Sequence, residues 1–212
     1  MSETSKDPGK PARIWNELFD GPEYLFGTEP NDYLVEKRDY LKRCSKVLLV
    51  ADGEGRNSVW CALQGMEVDA FDLSEKAIAK ARKLAQEKGV SVNYSVSSID
   101  GWNWANDSYD AVIVIFAQFA TPNMRSRLFD GCIRTLKPGG ILILQGYTPK
   151  QLGFRTGGPA KVEHLYTEEM LSGYFGMMDI LELRSYDAFI REGARHTGIS
   201  ALIGMVARKK AE

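Results

Sequence analysis

Short apolar runs alternate with amphipathic stretches from residue 46 onward, and the alternation breaks only near the end of the chain. Residues 46–50 read as a strand covered on both faces, 57–63 as helix and 67–71 as a second strand. Ser74 caps a long helix with Glu75 just behind it, ending near Gly89. Residues 90–96 alternate like a strand, 111–116 form an apolar fourth strand, 122–136 are helical, and 141–144 make a fifth strand. Thr167 opens a further helix with Glu168 and Glu169 in its first turn. The runs 180–190 and 200–206 then follow with no room for a helix between them. They must pair as a hairpin, so the last strand runs antiparallel to the rest. The pattern predicts an α/β fold: a doubly wound, mostly parallel seven-stranded sheet ending in an antiparallel β-hairpin. A dinucleotide-binding sheet has no need of that hairpin.

A chain of 212 residues suits one domain. Residues 1–12 are polar, with Pro and Gly, and are expected to be a disordered leader. Residues 13–45 read as a helical cover on the main domain, 46–210. In that cover Ile14, Trp15, Leu18 and Phe19 share a helix face, and Asn31 or Asp32 caps a second helix running to about Arg43. A formal net charge of −1 and a pI of about 6.2 show no basic excess, so no nucleic-acid partner is expected. The longest apolar stretch, 111–120, is broken by Gln118 and too short to span a bilayer, so no membrane partner is expected either. Cys44, Cys61 and Cys132 show no CxxC spacing and read as reduced thiols of a cytoplasmic protein. His164 and His196 have no cysteine near them, which leaves no expected metal site. A monomer or homodimer is expected.

Ligands in such sheets bind beyond the C-terminal strand ends, where the strand order reverses. The first strand runs into Ala51-Asp52-Gly53-Glu54-Gly55-Arg56-Asn57, whose glycines allow a sharp turn and close approach to a ligand. A tight strand-to-helix turn without a ligand would look the same. Asp72 ends the second strand, where a carboxylate can accept both ribose hydroxyls of an adenosine, or merely help to cap the next helix. Ser58 stands where a dinucleotide fingerprint needs its third small residue, and no GxxxxGK[ST] motif is present.

The stretch Val47-Leu48-Leu49-Val50-Ala51-Asp52-Gly53-Glu54-Gly55-Arg56-Asn57 resembles the glycine-rich first motif of class I S-adenosylmethionine (SAM)-dependent methyltransferases. Phe71-Asp72-Leu73-Ser74 resembles their ribose-binding motif, and Leu136-Lys137-Pro138-Gly139-Gly140 the turn before their fifth strand. Three further segments look like the tellurite-resistance and thiopurine-methyltransferase-like branch: Glu23 to Pro30; Tyr147-Thr148-Pro149 with Thr156-Gly157-Gly158-Pro159; and Glu192-Gly193 with His196 and Gly198. The resemblance implies a Rossmann-like fold and SAM as cofactor. It implies Ala51, Asp52, Gly53, Gly55, Asn57, Asp72, Leu73, Ser98, Ile99 and Phe116 as cofactor-binding residues. The chain departs from the pattern at Leu49, Ala51, Asp52 and Ser98, where the family usually has an acid, Gly, Cys and an acid. Asp52 is expected to meet the ammonium of the methionine moiety in compensation. Trp102 and Trp104 read as aromatic cover for the adenine, or as ordinary surface packing.

Methyl transfer from a sulfonium is an in-line displacement, so positioning and exclusion of water carry the catalysis. A soft, ionised nucleophile such as thiolate, selenite or tellurite needs no general base. The acceptor is accordingly expected to be a small molecule, soft or anionic. Tyr24, Arg191 and His196 are the candidate catalytic residues: Tyr24 with Phe26 as a lid, Arg191 with Arg195 as cations in the hairpin turn, and His196 as base or hydrogen-bond donor. Each also has a structural reading, as a staple of the N-terminal segment, a solvated turn and an ordinary hydrogen bond. Arg155 and Lys161 flank the glycine-rich loop 156–159. The alternative to an enzyme is a non-catalytic SAM-binding domain acting as sensor or partner.

Overall fold

The computed structural model describes residues 9–193 and 195–211. The first strand, β1 (Lys46–Val50), is apolar on both sides, and its alternate residues feed two separate cores. Leu48 and Val50 enter one, Val47 and Leu49 the other; β4 (Tyr109–Ile115) repeats the division with Val112 and Val114 against Ala111 and Ile113. Such a sheet is stable only when helices cover both faces. Leu128, Phe129 and Cys132 of α5 (Pro122–Thr135), with Leu171 and Phe175 of α7 (Glu168–Phe175), cover the first. Val59 and Cys61 of α3 (Arg56–Leu63), with Ile78, Ala81 and Leu84 of α4 (Glu75–Glu87), cover the second.

With β2 (Glu67–Asp72), β3 (Asn93–Val96), β5 (Leu136–Tyr147), β6 (Asp179–Glu192) and β7 (His196–Arg208), the sheet has seven strands in the order β3-β2-β1-β4-β5-β7-β6. Pairings from β3 to β5 are parallel, and β7 runs antiparallel to both β5 and β6, as the alternation predicts. Strand order reverses between β1 and β4, which places a crevice at their C-terminal ends.

Several boundaries differ from the sequence reading. Residues 1–8 of the expected leader lie outside the described residues, and 9–12 belong to α1 (Gly9–Leu18). Pro11 is tolerated there because first-turn N–H groups have no intrahelical acceptor. The second helix, α2 (Asp32–Glu36), is shorter than expected and passes into a 3-10 turn, Arg38–Leu41. Asn31 caps it, accepting from Leu34 N–H at 3.0 Å. β5 begins five residues before the expected 141 because Leu136 pairs with Tyr109 of β4 and the Gly139-Gly140 turn bonds to Lys209 just beyond β7. A short helix, α6 (Gln151–Phe154), follows β5. Among the described residues no helix is long and apolar enough to cross a membrane.

Candidate functional site

The crevice is a cavity of about 780 Å³. Its floor is the end of β1 and β4 (Leu49, Val50, Ile113, Ile115), and its near wall is the loop from Ala51 to Asn57 with Asp72 and Leu73. Phe116 and Gln118 follow β4, Arg155 to Pro159 follow α6, and Arg195 to Thr197 belong to the hairpin turn. Trp15 and Leu18 of α1, with Phe19 just after it, close the top together with Phe26. Three residues of this wall hold left-handed backbone without being glycine: Ala51 (φ 51°), Phe116 (φ 54°) and Arg155 (φ 57°). Such conformations cost roughly 1–3 kcal/mol each and persist only where the surroundings enforce them, which is common at ligand sites.

Asp72 is the best-defined polar group of the near wall. Its Oδ2 accepts from Gly53 N–H at 3.0 Å and its Oδ1 from Ser74 N–H at 2.8 Å. It therefore both braces the glycine loop and supports the cap of α4, where Ser74 Oγ accepts from Ala77 N–H. Two carboxylate oxygens offer about four acceptor sites, so capacity remains for ribose hydroxyls. Burial raises its pKa against those backbone bonds. Asp52 is drawn inward: both oxygens accept from Ser58, from the hydroxyl and the backbone N–H. Ser58 in turn meets Tyr94 Oη at 2.8 Å. Burial pushes Asp52 up to about 7, the Ser58 hydroxyl opposing it and the charge of Asp72 adding to it.

His196 sits in an aromatic box, its ring 4.6 Å from Phe26, 4.7 Å from Phe116 and 5.6 Å from Tyr147. Burial, with the nearby Arg56 charge, pushes it down to about 3, so the imidazole is neutral at physiological pH. Its Nδ1 and the Tyr147 hydroxyl are buried with no hydrogen-bond partner among the described residues. Below the box lies a polar network invisible to local pattern. Arg56 Nη2 donates to Glu192 at 2.6 Å, and Asn31 Nδ2 donates to both Glu192 (2.8 Å) and Gln145 (2.6 Å). Gln145 Nε2 continues to Tyr186 Oη, and Asn57 Oδ1 accepts from Asn31 N–H. Gln118 ties the two strand ends, donating to the carbonyls of Tyr147 and His164.

The cavity gathers Ala51, Asp52, Gly53, Asn57, Asp72, Leu73, Phe116 and His196 of the expected residues. Others stand elsewhere. Gly55 is packed against α4, where an added Cβ would lie 2.7 Å from Ala81 Cβ. Ser98 does not line the cavity; its Oγ accepts from Gly101 N–H in its own turn. Ile99 is core, Trp102 stacks on Phe71 and Trp104 meets the same ring edge-on, and none of the three lines the cavity. Tyr24 is not a lid: its hydroxyl donates to Lys80 carbonyl at 3.2 Å, so only Phe26 of that pair faces the cavity. Arg191 is exposed and outside the cavity, because strand alternation turns its neighbour Glu192 inward to Arg56. Lys161 is likewise outside, whereas Arg155 lines the wall. Sequence reasoning missed Arg56, Gln118 and Tyr147 as wall residues and α1 as the roof; the apolar face of α1 was legible, its docking site was not.

Residues 47–140 match the family model described as a methyltransferase domain. The Drosophila melanogaster tRNA N(3)-methylcytidine methyltransferase Mettl2 is 30% identical over 126 residues, 51% of this chain and 39% of that protein. The ubiquinone biosynthesis O-methyltransferase of Azoarcus sp. is 35% identical over 98 residues, 46% of this chain and 42% of that one. The chain thus spans less than half the length of these two relatives. TehB from Haemophilus influenzae has a similar fold, with a TM-score of 0.70 at 18% identity over 95% of this chain and 68% of that one. Reversed strand order, terminal hairpin, glycine loop and strand-end aspartate accompany the match over 47–140, so this part of the chain is similar to a methyltransferase domain.

Proposed function

We propose that this chain binds SAM in the cavity and transfers its methyl group to a small, soft or anionic acceptor. The observation that carries the reading is Asp72 beside the open loop at the β1–β4 switch point. The cavity fits such a ligand at the loop: a Cβ on Gly53 would meet only Phe19 Cζ, at 3.9 Å, so the space above its backbone is open. Bound there, the cofactor supplies an electrophilic methyl on a sulfonium whose sulfur keeps the bonding pair as the acceptor's new bond forms.

The residues of the chain do the rest. Asp72 holds the ribose hydroxyls, and Gly53 lets the loop backbone approach. Asp52 lies near the methionine end, its charge partly satisfied by Ser58. Phe26, Phe116 and Tyr147 surround His196 and exclude water from the reacting centre. Arg155 and Arg195 are exposed on the rim and form no ion pair among the described residues, which favours an anionic acceptor approaching from that side. A thiolate or oxyanion needs no proton removed. A protonated acceptor could donate a hydrogen bond to a neutral nitrogen of His196.

Calorimetric titration with SAM and S-adenosylhomocysteine tests the first half, with micromolar binding expected and lost in Asp72→Ala. No binding at millimolar ligand overturns the cofactor reading. Turnover with tellurite, selenite and small thiols tests the second; binding without methylation of any of them leaves the non-catalytic sensor reading in its place.

A further inference from the structure

Both histidines of the chain line the cavity, in different settings. His196 can receive a hydrogen bond in its aromatic box, but burial and the Arg56 charge push it down to about 3, so it does not hold a proton at neutral pH. His164 closes a short 3-10 turn, Val162–His164, and is half-buried at the cavity wall. The turn is firmly anchored. Its His164 carbonyl accepts from Gln118 Nε2 at 3.1 Å, and its Glu163 carbonyl from Arg125 Nη1 of α5 at 2.8 Å. The chain then runs into buried Leu165 and Tyr166, where Tyr166 N–H donates to the Tyr147 carbonyl at 3.0 Å. Gln118 is itself buried, and its carboxamide bonds the backbone of Tyr147 at the end of β5. The turn is thereby fixed to the strand ends at which the cavity opens.

The ring is fixed as well. Its Nδ1 lies 3.0 Å from the Gln118 carbonyl oxygen. A carbonyl oxygen only accepts, so Nδ1 carries the hydrogen and the neutral ring keeps its lone pair on Nε2. Nε2 has no hydrogen-bond partner among the described residues and, unlike Nδ1 of His196, is not sealed inside the protein. Granted that SAM donates a methyl group in this cavity, we propose that His164 Nε2 is the general base of the site and admits small phenols, acceptors that arrive with the proton still on the nucleophile. A phenol, like a tyrosine, keeps its proton up to about pH 10. Its ring suits the aromatic wall of Phe26, Phe116 and Tyr147. As the phenol oxygen forms its bond to the methyl carbon, the carbon–sulfur bond breaks and the sulfur keeps that pair. The hydroxyl proton passes to Nε2, and the imidazolium keeps its Nδ1–H on the Gln118 carbonyl. A positioned base of this kind contributes about 100- to 10,000-fold in rate. An ionised acceptor makes no use of it.

The test sets p-cresol, protonated at neutral pH, against p-nitrothiophenol, whose acidic thiol is already ionised. In His164→Gln, whose amide can still donate to the Gln118 carbonyl, kcat/KM for the phenol should fall about 100-fold or more, and for the thiolate no more than about fivefold. In His164→Ala, added imidazole should restore turnover of the phenol alone. Equal losses with the two acceptors overturn the assignment, as does a phenol defect that appears in His196→Asn instead. An unaltered protein that methylates the thiolate and leaves the phenol untouched overturns the acceptor class. Should the variants not fold, nitrogen NMR of the unaltered protein decides, since it holds only two imidazoles. The His164 ring must show its hydrogen on Nδ1, and p-cresol added with S-adenosylhomocysteine must shift its Nε2; the opposite tautomer, or no shift, refutes the base. Turnover of neither acceptor strikes the methyltransferase reading itself and the base with it, a result distinct from the others.

Discussion

Gly53 and Gly55 read alike in sequence, yet their surroundings demand different consequences from the same substitution. Both have left-handed backbone, φ 65° and φ 90°. Placing an alanine there costs about 1–2 kcal/mol in the folded state, offset by roughly 0.4–1 kcal/mol from the less flexible unfolded chain. For Gly53→Ala that is nearly the whole account, since the new methyl faces the cavity and meets only Phe19 Cζ at 3.9 Å. At Gly55 the methyl would lie 2.8 Å from Ala81 Cα and 2.8 Å from Tyr94 Oη. The Ala81 contact is a helix backbone atom, so α4 must move, adding about 1–3 kcal/mol of overpacking. Gly55→Ala should therefore lose about 2–4 kcal/mol and Gly53→Ala about 1 kcal/mol or less. In a chain of this size that is a Tm drop of roughly 5–12 °C against roughly 3 °C or less. Ligand binding should respond in the opposite order, S-adenosylhomocysteine affinity falling about tenfold or more in Gly53→Ala, where the methyl occupies cofactor space. Urea unfolding and calorimetric titration of both variants read the two effects separately. Equal stability losses, or undiminished affinity in Gly53→Ala, would refute the division of roles.

Three groups, two aspartates and a histidine, give opposing pH dependences. Asp52, raised from 3.8 to about 7, keeps a proton that the unfolded chain releases, so its contribution to stability falls as pH rises across that window. Asp72, also raised by burial, acts in the same direction. His196, lowered from 6.5 to about 3, refuses a proton that the unfolded chain accepts, so stability is lost as pH falls below 6.5. His196→Asn should unmask the falling slope and Asp52→Asn flatten or invert it, each by at most one proton, about 1.4 kcal/mol per pH unit. Urea unfolding at pH 4.5, 5.5 and 6.5 measures this, and an unchanged slope in both variants contradicts the assignments. Tyr24→Phe should leave cofactor affinity unaltered and cost about 1 kcal/mol or less, the worth of its bond to Lys80 carbonyl; a large loss of binding would return Tyr24 to the site. Glu192→Ala strands Arg56 and one hydrogen bond of Asn31, and should cost about 3–5 kcal/mol in thermal unfolding; a loss below 1 kcal/mol would mean the pair is not buried in solution.

Local pattern decided a great deal about this chain. The β/α alternation, the terminal hairpin, the caps at Asn31, Ser74 and Thr167, and the glycine loop leading toward Asp72 all follow from residues within a few positions of one another. Backbone hydrogen bonding and side-chain periodicity act at that range, so they are written in the local sequence. What lies opposite what is a different matter. Asn31 is legible as a cap, but its partners Gln145 and Glu192 are 114 and 161 positions away, and the Arg56–Glu192 pair spans 136. Glu192 and Arg191 are neighbours with similar local claims on function, and only the register of β6 against β7 turned one inward and the other to solvent. Tyr24 and Phe26 were separated in the same way, by how the N-terminal segment docks on α4. The sequence determined the elements and the strand edge at which a ligand binds; the tertiary structure chose which side chains face it, because long-range packing and burial set orientation.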